Sequence, residues 1–250
     1  MASQPLIQHL LELRSRLLKI FFSIAVMSSL MLYWANDIYH FIAQPLMQAL
    51  PSQNQMIAID VTAPLLAPFK LTLYLSFFIS IPIIFYHLWH FIAPGLYQKE
   101  RKIILPILIA STTLFYSGVA FAYFIVFPLI FAFFTQLLPD DIRMATDITS
   151  YLNFVLKLFL GFGLAFEIPV AVIILCWLGV TNVQALKQKR PYLIVVAFIL
   201  GMLLTPPDMI SQSLLAIPMI LLFELGLLMA PYYQSKHDES DSEAKSSMHP

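Results

Sequence analysis

Residues 151–178 read YLNFVLKLFLGFGLAFEIPVAVIILCWL, with Lys157 and Glu167 as the only charges. A helix rises about 1.5 Å per residue, so this run is long enough to cross about 30 Å of hydrocarbon. Moving outward, apolar runs recur at about 17–34, 69–90, 104–130, 191–204 and 211–230, separated by short turn-rich stretches. The alternation over about ten residues that marks a barrel strand does not recur. The expected fold is all-α: a polytopic membrane protein with six transmembrane helices in a single domain over residues 1–233. The segment 234–250 is charged, Ser-rich and poor in apolar residues, and is expected to be a disordered cytoplasmic tail.

Composition supports this reading and narrows the function. The 250 residues are 60% hydrophobic and 11% charged, with a mean hydropathy of +0.81. Soluble domains carry about 25% charged residues. Lys+Arg 14 balances Asp+Glu 14, which argues against a nucleic-acid binder, and Cys176 alone cannot form a disulfide or a cysteine metal site. No HExxH, GxSxG or Walker loop is present, so neither an enzyme nor a cofactor is expected. His87 and His90 stand three apart without facing ligands at matching depth and read as interfacial histidines.

Basic residues set the orientation. Arg14, Arg16, Lys19, Lys99, Arg101, Lys102, Lys187, Lys189, Arg190, Lys236 and Lys245 fall on one side of the alternating loops, and Arg143 alone falls on the other. Eleven against one places both termini in the cytoplasm. The N-terminal apolar run is too long for a signal-peptide core and reads as a retained first span.

Some segments depart from simple spans. The outer segment 35–68 is apolar despite Pro45, Pro51, Pro64 and Pro68, and is expected to pack as short helices. The fifth span is only about 21 Å long. It is followed by Thr205-Pro206-Pro207-Asp208, an arrangement that thins the bilayer locally. Gly161 and Gly163 read as a small-residue surface for close helix packing.

Acidic residues in unusual places are the candidates for function. Glu167 lies near mid-depth, two residues before the helix-breaking Pro169. Two readings stand: a protonated acid bonded to a neighbouring helix, or a group lining a polar cavity. Lys157, ten residues earlier, is too far to pair with it. Glu12 and Glu100 sit among bases at the cytoplasmic face. Glu12 can pair with Arg16 at i,i+4; alternatively, the two acids can grip a pair of guanidinium groups.

The segments His9-Leu10-Leu11-Glu12-Leu13-Arg14-Ser15-Arg16-Leu17, Phe91-Ile92-Ala93-Pro94-Gly95-Leu96 with Glu100-Arg101, Phe162-Gly163 with Phe166-Glu167-Ile168-Pro169, and Arg190-Pro191-Tyr192 resemble the TatC family. So do Thr205-Pro206-Pro207-Asp208, Ser211-Gln212 and Ala216-Ile217-Pro218, and the match runs in order from about residue 5 to 232. The resemblance implies a glove-shaped six-span bundle in the bacterial inner membrane. Its role would be to recognise twin-arginine signal peptides and help export folded proteins on the proton-motive force. It implies Glu12, Arg14, Phe91, Pro94, Leu96 and Glu100 as the signal-peptide site, Glu167 as the intramembrane acid, and Pro45 and Asp208 as functional outer-loop positions. TatA-type and TatB-type single-span subunits are the implied partners, beside membrane lipid and further copies of the chain. Met202, Thr205 and Gln212, near the outer end of the short fifth span, are expected to dock a partner helix. The competing reading is a proton-coupled secondary transporter with Glu167 as relay, a class that usually shows internal repeats, which are not visible here.

Overall fold

The structure, a computed structural model, describes residues 3–49, 57–92, 104–136, 147–204 and 209–246. Among them the regular secondary structure is helical, apart from one isolated parallel bridge between Ile57 and Asp147. The helices are α1 (Ser3–Met31), α2 (Ala35–Ala49), α3 (Ala63–Ile79), α4 (Ile81–Ile92), α5 (Ile104–Phe121), α6 (Phe127–Gln136), α7 (Ile148–Ala165), α8 (Ile168–Trp177), α9 (Val183–Gln188), α10 (Arg190–Leu204) and α11 (Met209–Ser246). The chain divides into two compact units, Met1–Thr112 with Phe127–Lys157, and Thr113–Val126 with Leu158–Pro250.

In the first unit α1 packs on α3 and α4, and α2 packs on α3 and α6. The outer segment expected to fold into short helices does so in α2. Tyr151 at the start of α7 is buried against Phe127 and Phe131, and its hydroxyl donates to the Ile42 carbonyl at 2.8 Å. Lys70 of α3 donates to the Asn153 side chain. Asp147 starts α7 as its N-cap. Its Oδ2 accepts from the Ser150 N–H and hydroxyl at 2.9 Å each, and its Oδ1 accepts from the Ile59 N–H at 3.3 Å. These bonds hold the carboxyl below the usual carboxylate range, the Ser150 N–H most of all.

In the second unit α11 packs along α8 and α10. Val172 and Cys176 of α8 meet Phe223, Leu227 and Ala230 of α11 in one buried cluster, while Ala165, Ala197, Ala216 and Met219 form another. Gly179, at φ +69°, lets the chain turn out of α8 in a conformation that side-chain-bearing residues avoid. Asn182 then caps α9, accepting from the Ala185 N–H at 2.7 Å.

The spans differ from the sequence expectation in detail. Leu10–Ile42, Leu105–Phe133, Ile148–Trp177 and Gln212–Tyr232 are long and apolar enough to cross a bilayer. The first runs past 17–34 at both ends, because no proline or glycine separates the amphipathic approach from the span and only a 3₁₀ turn at Leu32–Trp34 separates the span from α2. The expected span 69–90 is a pair, α3 and α4, bent by 48°. Pro82 cannot donate to the carbonyl of Phe78, and Thr72 and Ser76 bond back to carbonyls of their own helix, which also favours bending. A π-turn at Ala122–Val126 precedes Pro128 in the third span for a similar reason. Taking the bent pair as one span gives five among the described residues. The remaining expected span is α10, whose 15 residues extend about 22 Å. The tail expected to be disordered is helical as far as Ser246.

Candidate functional site

Three places carry the residues singled out in the sequence. The first is where α1 crosses α4. Glu12 and Arg16 lie one turn apart on α1, and Oε1 of Glu12 accepts from both Nε (3.0 Å) and Nη2 of Arg16. Arg16 also directs Nη1 to the His87 carbonyl of α4 at 3.4 Å, a weak contact at the limit of hydrogen-bond distance. The Arg16 side chain keeps 17% of its exposure and Glu12 keeps 38%, so the carboxylate stays open to solvent. One turn on from His87 stands Phe91, half-buried at the end of α4. The rings of His87 and His90 both pack on Tyr86, with centroids 5.4 and 4.7 Å away. No third metal ligand joins the two histidines among the described residues. Arg14 does not join this cluster. Two residues on from Glu12, about 200° around the helix, it is exposed beside Ser15 and Leu18. Pro94, Leu96 and Glu100 lie outside the described residues.

The second place is the break between α7 and α8. Helical bonding continues to Phe166, whose N–H reaches the Phe162 carbonyl at 3.0 Å. Glu167 then tightens the turn by bonding the Leu164 carbonyl at 3.1 Å, and Pro169 opens α8. Glu167 is half-buried and stands at the N-cap of α8 without capping it through its side chain. Beside it the packing is tight. A Cβ on Gly118 would meet the Phe162 carbonyl oxygen at 2.5 Å, and one on Gly163 would meet the Phe115 ring at 2.6 Å. The rings of Phe162 and Phe166 each lie 5.5 Å from Phe121. The small-residue reading of Gly161 and Gly163 is borne out: Gly161 admits Leu204 as Gly163 admits Phe115. Lys157 is exposed.

The third place is the α10–α11 hairpin. Gly201 packs on Gln212, and the Gln212 amide donates to the Phe198 carbonyl at 2.8 Å. Gln212 therefore spends its donor inside the hairpin, whereas Met202 is 50% exposed. At the opposite end Arg190 pairs with Glu224. This pair escaped the sequence reading because it requires the antiparallel register of two helices. The Asp147 cap was also missed, although Asp-x-x-Ser before an apolar run signals it. Thr205 and Asp208 lie outside the described residues, as does the side chain of Pro45.

An all-helical chain with several apolar spans, polar groups at its helix ends and no metal cluster among the described residues is a polytopic membrane protein. The family described as Sec-independent protein translocase protein (TatC) matches residues 8–218, and the chain belongs to it. Among its relatives, the Haemophilus influenzae Sec-independent protein translocase protein TatC is 58% identical over 95% of this chain and 93% of its own length. That of Escherichia coli K12 is 51% identical over 94% and 91%, respectively. A crystal structure of a twin arginine translocase receptor, TatC, superposes with a TM-score of 0.80 at 36% identity, covering 90% of this chain and 99% of that one. The secondary-transporter reading has no support among these relatives.

Proposed function

We propose that the protein is the signal-recognising subunit of a twin-arginine translocase in the bacterial cytoplasmic membrane. It binds the paired arginines of signal peptides at its cytoplasmic face and helps folded cargo across, driven by the proton-motive force. The observation that carries this reading is the Glu12 carboxylate, which already accepts guanidinium N–H groups where α1 meets α4 and remains open to solvent. A carboxylate suits a guanidinium because two parallel charge-assisted bonds fix both position and plane. Glu100, with Pro94 and Leu96, completes the proposed site from the segment after α4, and Phe91 supplies apolar contact. Arg14 is left out because it faces away from Glu12.

The proposed arrangement has six spans with both termini inside, supported by the distribution of basic residues. TatA-type and TatB-type subunits dock along the short α10, with Met202 and Thr205 at the contact. Gln212 supports that edge from within. Further copies of the chain complete the assembly, and Glu167, Pro45 and Asp208 act at later steps.

A twin-arginine signal peptide carrying a photo-crosslinker tests the reading. Crosslinking to residues near Glu12 should disappear on Glu12→Gln or Glu100→Gln, and when the peptide arginines become lysines. It should also weaken as salt rises. Crosslinking that survives all of these changes would overturn the proposal.

A further inference from the structure

The outward face of α1 carries a second feature. A shallow, open groove of about 670 Å³ runs along it, with Arg14 and Ser15 beside Leu11 toward one end, Leu18 and Lys19 midway, and Phe21 and Phe22 toward the other. Arg14 to Phe22 spans about 12 Å of helix axis, which fits a headgroup and the first part of an acyl chain. Neither Arg14 nor Lys19 has an ion pair among the described residues: Arg14 lies about 160° around the helix from Glu12, and the Glu12 carboxylate turns to Arg16. Phe21 and Phe22 are 72% and 70% exposed, so the apolar half has no protein cover. Directly after Lys19 the chain reads Ile20-Phe21-Phe22, which sets the two cations and the hydroxyl at headgroup depth and the rings below them.

We infer that this groove is a binding site for an anionic phospholipid. The phosphate is held by Arg14, Lys19 and the Ser15 hydroxyl, and an acyl chain lies along Leu18, Phe21 and Phe22. The ligand differs from the peptide proposed above, and the two readings share only the membrane placement of α1. A lipid held there would fix the height and rotation of α1, and so the presentation of Glu12, which lies about 20° around the helix from Lys19. Each cation near a membrane surface adds about fivefold to the preference for anionic lipid.

The test uses the full chain in nanodiscs of equal phosphatidylglycerol and phosphatidylethanolamine, extracted into mild detergent, with retained lipid counted by native mass spectrometry. Wild type should keep phosphatidylglycerol in preference. R14Q combined with K19Q should reduce that preference about tenfold or more, while K19R restores it over K19Q and K187Q, on α9, leaves it unchanged. Glu12→Gln should abolish peptide crosslinking yet keep the lipid, so failure of one proposal does not entail failure of the other. Equal retention of both lipids by wild type, or an equal loss in K187Q, would overturn the inference, as would no change in the double variant.

Discussion

The two units are held in different ways. Around α7 and α8, glycines bring neighbouring elements so close that an added methyl would strike a carbonyl oxygen or an aromatic ring. Lipid-facing helices gain nothing from burying apolar groups away from other apolar groups, so close approach and dense packing supply their cohesion. The first unit treats α1 otherwise. None of the most apolar window of Leu10–Ile42 is buried, and beside its packing on α3 and α4 a single weak polar contact, from Arg16 to the His87 carbonyl, reaches from α1 to α4. The tightly packed unit resists change, and the Glu12 carboxylate on α1 can exchange one guanidinium partner for another.

The largest effect should come from filling the tight unit. Gly118→Val puts side-chain atoms where the Phe162 carbonyl already lies at 2.5 Å from a Cβ, and backbone cannot move aside cheaply. A loss of about 1–3 kcal/mol or more is expected, read as a fall in the thermal midpoint of the purified protein. Leu30→Ala on α1, at a side chain 55% exposed, should change stability by less than about 0.5 kcal/mol. Equal losses at both positions would break the contrast. Next comes Glu12→Gln, expected to weaken twin-arginine peptide binding at least tenfold (~1.4 kcal/mol). Its ion pair joins neighbours one turn apart on α1 and keeps the Glu12 side 38% exposed, so stability should move by no more than about 1 kcal/mol.

How much of this contrast was legible in the sequence follows from the range of the forces involved. The apolar runs show in the sequence because a helix must cover its own backbone in lipid, a local requirement. The packing role of Gly161 and Gly163 was visible, since small residues within a span have few other uses. Pro169 likewise announced the break at Glu167. The bend between α3 and α4 is not legible in the pattern, because Pro82 sits inside an unbroken apolar run that suits a straight span equally well. Lys70 with Asn153 and Arg190 with Glu224 were not legible, since each joins residues far apart in sequence through a register that tertiary packing sets. At the proposed recognition site the sequence permits both readings of Glu12, and the structure gives the pairing with Arg16.

A smaller effect sharpens the picture within the second unit. Arg190 and Glu224 close the end of the α10–α11 hairpin opposite its turn, with side chains 45% and 35% exposed. Glu224→Gln should cost at most about 0.2–1 kcal/mol, because solvent screens the pair. Reversing both charges, Arg190→Glu with Glu224→Arg, should recover most of the loss caused by either reversal alone. A double-mutant cycle on thermal stability measures the coupling, and a value near zero would show that apolar packing of α10 on α11 suffices.

The smallest effect belongs to Asp147, and pH reads it. Its carboxylate caps α7 and also reaches Ile59, so the charged form is favoured in the folded chain. A folded carboxyl below the ordinary value of 3.8 stabilises the protein above that value and loses the contribution as pH falls through the folded value. Asp147→Ala should therefore lie below wild type in thermal midpoint by a constant margin above about pH 5, and the margin should shrink toward about pH 3. Hydrogen exchange at the Ile59 amide should quicken in the variant over the same range. If the margin were independent of pH, the cap would act through the geometry of its oxygen atoms alone. The Asp147 end of the first unit would then join the second as a region held by shape, leaving the Glu12–Arg16 pair on α1 as the part that depends on charge.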